Sequence, residues 1–384
     1  MDLTALFACA ALAGAAYAGP AIYPHYMDPR RHPDETRRTV KPPDRAQFGN
    51  RMQFTSIRHL PDNAAWRDAL DTYVVSNRLG NLVWPNLKVL GNGNLPEIVA
   101  EIKRRGLWLF DVWGYLPNGK AQGVDGLWRM PSGVCEMLER ELGDRWLGMD
   151  NGEQDGRWSG SPRPAPGRFA HLLRFQRYFE HMDKTLGNKM AALVSLNYGH
   201  YFLRANCYTM LGAETAQALP NGQVYYAFIR GAGKQYGVPW FGNVSVFNRW
   251  GWKCYPEKET PGADSGPEKG ASLALLKKLL YTQLFYNGLA CGFEGSFFHG
   301  GFAGTGALSP VGEIQQEAVD WIDRHGDPGV MAVPVGLVID SARGWCFPRH
   351  LYSGWSHVCW GAIPFERSDY FTDGVLDLLY PGYQ

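Results

Sequence analysis

Among the residues able to do chemistry, three glutamates stand out, because each lies at or just beyond the end of a short apolar run. They are Glu153 in GMDNGEQDGRW, Glu214 in MLGAETA and Glu294 in CGFEGSFF. Asp150, Glu153 and Asp155 crowd three acids into six residues. Neighbouring carboxylates raise one another's pKa, so one of the group can stay protonated near neutral pH and act as a general acid. Glu153 is the candidate for that role. Glu294 has only apolar and small residues around it, with no adjacent Lys or Arg. A carboxylate held there could attack an electrophilic carbon, or activate water as a base. Glu214 has similar surroundings and competes for either role. The bland readings are an exposed acidic loop for Glu153 and an ion pair to a distant arginine such as Arg58 for Glu294. Two carboxyl groups suffice to hydrolyse a glycosidic bond, about 5–5.5 Å apart for retention or about 6.5–9.5 Å for inversion, and spacing in sequence leaves that choice open.

Polar and aromatic residues recur around the glutamates. Asn86, Asp111 with Trp113, Asn151, Asn197, and Asn243 with Ser245 lie at or just beyond the ends of the same kind of run, where capping a following helix would also account for them. Asp111, Trp113, Asn151, Asp155, Arg157, Trp158, Asn197 and Trp250 are the expected substrate contacts. His59, His200 and His299 are isolated and read as structural. No HxH or CxxC spacing occurs, so neither a metal nor an organic cofactor is expected. RGAGKQYG (230–237) lacks the glycine and the Lys-Ser/Thr pair of a phosphate loop and reads as helix. HGGFAGTG (299–306) reads as a flexible loop, and the Asn243-Val244-Ser245 sequon sits in a strand-like run unsuited to glycosylation.

The elements that would position these residues alternate. Strand-like runs at 52–59, 81–86, 107–113, 146–153, 191–197, 208–214, 239–245 and 290–298 are separated by helical periods such as LPEIVAEIKRRG and SLALLKKLLYTQLFYNG. Eight successive βα units predict a (β/α)₈ TIM barrel over residues 51–328, with an open doubly wound sheet as the competing arrangement. In a barrel the strand ends share one mouth, which would bring the glutamates together. VPVGLVID (333–340) reads as one more strand, opening an incomplete second α/β segment over 329–384.

Residues 1–18 form an apolar leader ending Ala16-Tyr17-Ala18, as a signal peptide does, and a Pro/Arg-rich lead-in fills 19–50. Secretion, to the exterior or the periplasm, is the expectation. Of the seven cysteines, six lie beyond the leader, and their pairing cannot be read from spacing. With 38 basic and 37 acidic residues, no charge excess favours nucleic acid, and no later apolar run is long enough for a membrane span. A carbohydrate partner suits this neutral, aromatic-rich chain, 14% Phe, Trp and Tyr.

On GMDNGEQDGRW, GAETA, RGAGKQYGVPW, GFEGSFF and VPVGLVID, residues 52–345 resemble barrel glycoside hydrolases, distantly the family 42 β-galactosidase type with its flavodoxin- or amidotransferase-like domain after the barrel. The resemblance implies one glutamate as acid/base and another as nucleophile. In that superfamily the acid/base directly follows an Asn at strand four, whereas Gly152 separates Asn151 from Glu153 here. Its nucleophile belongs on strand seven, whereas Glu294 falls on the eighth run. A non-catalytic carbohydrate-binding barrel is the alternative function, and a metal-dependent barrel hydrolase the less favoured third.

Overall fold

The computed structural model describes residues 53–57, 66–84, 94–112, 133–150, 183, 189–192, 203, 210–215, 223–236, 238–244, 273–286, 288–293, 295–299, 306–326, 328, 331–338 and 367–379. Eight strands run in chain order: β1 (Gln53–Ile57), β2 (Leu82–Val83), β3 (Trp108–Val112), β4 (Trp146–Asp150), β5 (Met190–Ala192), β6 (Met210–Thr215), β7 (Trp240–Val244) and β8 (Ala290–Phe293). Each pairs in parallel with the next, and β8 returns to β1 through Gln53↔Ala290 and Phe54↔Cys291. The sheet is a closed barrel, which excludes the open doubly wound alternative. Eight strands at the eight expected places also fix the count, so Glu294 follows β8 directly.

The described helices are α1 (Trp66–Leu70), continued by a wider π-type turn over Asp71–Ser76, α2 (Leu95–Arg104), α3 (Val134–Leu142), α4 (Gln223–Tyr236), α5 (Leu273–Phe285), α6 (Pro310–His325) and α7 (Arg367–Leu379). Their apolar residues recur on one face and bury it against the sheet: Leu95, Ile98, Val99 and Ile102 in α2, or Leu276, Leu279, Leu280 and Leu284 in α5. Residues 230–236 of RGAGKQYG lie in α4, as the failed phosphate-loop pattern predicts. Helix α6 starts where Ser309 caps the N–H of Gly312 and Pro310 takes the first turn. Its Gln315 donates to the Leu79 carbonyl at 2.9 Å, and Arg78 pairs with Asp320 at 2.9 Å and with Asp323. Helix α6, which follows β8, is thereby tied to the turn entering β2, closing the outer ring as β1 and β8 close the inner one.

At the N-terminal end of the strands, cations cover tryptophans. The Arg145 guanidinium lies 5.1 Å from the Trp108 ring, and the Lys189 ammonium 4.7 Å from the Trp146 ring. Contacts at this end of a barrel serve stability, leaving the opposite end for chemistry.

Past the barrel the expectation of a further strand is corrected. Residues 331–338 join no ladder, and Val333, Val335, Leu337 and Val338 are exposed. A strand-like sequence becomes a strand only where another strand supplies hydrogen bonds, and among the described residues none does. The anchor is instead Arg230 of α4, whose guanidinium donates to the Met331 carbonyl at 3.0 Å. Helix α7, which the sequence reading did not anticipate, occupies 367–379.

Candidate functional site

The C-terminal half of β7 defines the described part of the barrel mouth. Gly242 faces the helices: a Cβ placed there would lie 2.1 Å from Cδ of Gln283 on α5. Strand alternation then turns its neighbours Phe241 and Asn243 toward the barrel interior. The Phe241 ring meets Phe110 of β3 edge to face at 5.0 Å, and Phe110 stacks on Trp84, just past β2, at 5.9 Å. All three rings are buried, and they form an aromatic floor across the barrel. Asn243 stands one inward layer above that floor, toward the mouth.

Asn243 is fully buried, yet neither the oxygen nor the nitrogen of its carboxamide has a hydrogen-bond partner among the described residues. Leaving one such group unpaired costs about 1–3 kcal/mol, so the position calls for an explanation beyond packing. In the ladder Asn243 pairs with Glu214 on β6 and with Gly292 on β8. Glu214 is the penultimate residue of β6, and its backbone is held in a continuous five-residue register with β7. Gly292, lacking a side chain, leaves room on the other side of the amide.

On the outer face of the same strands Gln283 is hydrogen-bonded. Gln283, itself buried, donates to the Tyr226 hydroxyl at 2.8 Å and accepts from the Gly292 N–H at 3.3 Å. These bonds fix β8 against α4 and α5. The absence of bonds at Asn243 therefore contrasts with the bonded Gln283 side chain packed behind the adjacent Gly242.

After β8 the chain is fastened in a different way. Ser296 is buried with φ of 65°, a left-handed conformation unusual outside glycine, and its hydroxyl has no hydrogen-bond partner. The Ser309 hydroxyl donates to the Ser296 carbonyl, and the Ser309 N–H donates to the Phe297 carbonyl at 2.9 Å. Phe298 bridges to Leu308, His299 N–H donates to the Ala307 carbonyl at 3.1 Å, and Tyr73 packs edge-on against both Phe297 and Phe298. Burial pushes the Tyr73 phenol up to about 12, keeping it neutral in this apolar contact. The segment that begins two residues after Glu294 is thus pinned on both sides.

Of the residues singled out from sequence, Glu214 and Asp111 lie in described strands, where the positions of their backbones are known. Asp111 pairs with Met149 in the β3–β4 ladder, directly after Phe110. Glu153, Glu294, Trp113, Asn151, Asp155, Arg157, Trp158, Asn197 and Trp250 lie outside the described residues, as do the leader (1–18) and lead-in (19–50). Asn243 was legible in sequence only as a polar residue in an apolar run. Ser296 gave no signal, since its backbone conformation comes from its bonds to the start of α6. Among the described residues no cluster of His, Cys, Asp or Glu could hold a metal ion, and no helix is long and apolar enough to cross a membrane.

The closed ring of eight parallel strands is a TIM-barrel-like fold. No protein family and no curated protein matches it in sequence. Solved structures similar to it include D-psicose 3-epimerase from Clostridium cellulolyticum H10 with D-tagatose, at 12% identity and a TM-score of 0.38, covering 71% of this chain and 98% of that one. Orotidine 5'-monophosphate decarboxylase from Methanocaldococcus jannaschii is 9% identical with a TM-score of 0.33, covering 70% and 98%. Muconate lactonizing enzyme from Pseudomonas putida is 10% identical with a TM-score of 0.30, and the chain spans 47% of its length while half of this chain is covered.

Proposed function

We propose that the protein is a secreted glycoside hydrolase whose site is the C-terminal mouth of the barrel, with its reacting pair drawn from Glu153, Glu214 and Glu294. The observation that carries this reading is the ladder pairing of Glu214 with Asn243, a carboxylate residue beside a buried and unsatisfied amide above an aromatic floor. Glu153 follows the end of β4 and Glu294 follows β8, so the three glutamates belong to strand ends that open on one mouth. Glu153 protonates the glycosidic oxygen as the bond to the anomeric carbon breaks. Glu294 attacks that carbon or deprotonates the attacking water, with Glu214 the alternative for this second role. The leader-like residues 1–18 support export.

A panel of polysaccharides and aryl glycosides incubated with the purified protein tests the reaction. Hydrolysis of one member is expected, with a loss of about 10²-fold or more in two of the variants Glu153→Gln, Glu214→Gln and Glu294→Gln. Binding without turnover, unchanged in all three variants, would leave a carbohydrate-binding barrel and remove the catalytic assignment.

A further inference from the structure

The hydrolytic reading needs glutamates and assigns nothing to Asn243, although this amide is the polar group of the described interior whose two atoms both lack a partner. We propose that Asn243 is a ligand-orienting residue whose carboxamide oxygen accepts from one hydroxyl, and whose NH₂ donates to a neighbouring hydroxyl, of a polyhydroxylated ligand at the barrel mouth. The inference rests on the carbohydrate reading above and specifies how the site would hold its ligand.

Three observations support it. The side chain faces inward, because Gly242 before it faces Gln283 and Phe241 before that faces Phe110. Phe241, Phe110 and Trp84 fill the barrel on the N-terminal side of the amide, so a ligand would meet it from the C-terminal mouth. Gly292 flanks it in the register with no side chain to compete for the amide. A carboxamide pairs a donor and an acceptor in one plane, which suits two adjacent hydroxyls better than a lone charge does. Burial removes competition from bulk water, so a ligand that pairs with the amide breaks no existing protein bond to do so, and a ligand lacking the right hydroxyl leaves it unpaired.

A structural asparagine and a ligand-orienting one respond differently to substitution. Binding of methyl glycosides of glucose, galactose, mannose and xylose is measured by calorimetry on the full chain, its Asn243→Leu and Asn243→Ala variants, and with monodeoxy analogues of whichever glycoside binds. The wild type is expected to bind at least one glycoside, and both variants to bind it about 10- to 100-fold more weakly. The penalty for deleting one particular hydroxyl should vanish in the variants, while ligand-free Asn243→Leu melts no lower than wild type because an unpaired buried amide has been removed. Equal binding by wild type and variants overturns the proposal and leaves the carbohydrate reading intact. A lower melting temperature for Asn243→Leu, with parent and deoxy glycosides weakened alike, also overturns it, in favour of a structural role. Absence of any glycoside binding by the wild type overturns both.

Discussion

Asn243 and Glu214 are register partners on β7 and β6, near the C-terminal ends of two of the longest paired strands in the barrel. Ladder hydrogen bonds fix the two backbones relative to each other, whereas the side-chain carboxamide of Asn243 has no hydrogen-bond partner among the described residues. A rigid position with an unsatisfied polar group describes a site kept ready for something other than its own fold. The geometry depends on how β7 is wedged between floor and helices, and the following consequences can be measured.

Gly242 is the wedge. Replacing it with Ala drives a methyl into Gln283, the residue that bonds Tyr226 and the Gly292 N–H. Gly242→Ala should lose about 1–3 kcal/mol of stability in urea unfolding, the usual range for overpacking. Unchanged stability would mean that Gln283 does not fill this space.

Gly148 in β4 has φ of 129°, and a Cβ there would lie 2.4 Å from the Lys189 carbonyl oxygen. Backbone cannot yield as a side-chain tip can. Gly148→Ala combines this clash with an unfavourable φ, each worth about 1–3 kcal/mol. A melting temperature within a degree of wild type would contradict the described approach of β4 to β5.

Ser296 holds its left-handed backbone through bonds from Ser309. Ser296→Gly should leave the melting temperature the same or raise it, while Ser296→Val should lower stability by about 1–3 kcal/mol, because a β-branched residue resists this φ. Thermal melts of both variants decide the matter, and equal effects would show that the backbone there is not left-handed.

Glu101 on α2 accepts from Arg104 at 2.8 Å and from Arg105 at 2.7 Å, and these arginines lower its carboxyl from 4.5 to about 2. Arg105 in turn reaches Asp71 at 2.7 Å, joining α2 to the turn after α1. A carboxylate with a depressed folded-state pKa adds stability that is complete above about 4.5 and is lost as pH falls toward about 2. Solvent screening limits the contribution to about 1 kcal/mol or less. Glu101→Gln should therefore be less stable than wild type at neutral pH and converge with it near pH 2, as followed by denaturant titrations across that range. A gap independent of pH would refute the ion-pair origin.

By itself the sequence determined the order of the elements and the fold they build. Each strand-like run and amphipathic helix is a local pattern, with period 2 or 3.6, and a repeating βα order leaves few ways to bury every apolar face. It also marked the glutamates, since an acid after an apolar run is visible without coordinates. Tertiary structure alone decided which residues meet. The described part of strand-like 333–340 joins no sheet among the described residues, because pairing needs a partner, which no local pattern supplies. Asn243 resembled any polar strand residue until the ladder, the Gly242–Gln283 contact and the Phe110–Phe241 floor showed that it is buried, inward-facing and unpaired. Burial and hydrogen-bond satisfaction are properties of the surroundings, and the surroundings of Asn243 come from strands 6 and 8 and a helix some forty residues away.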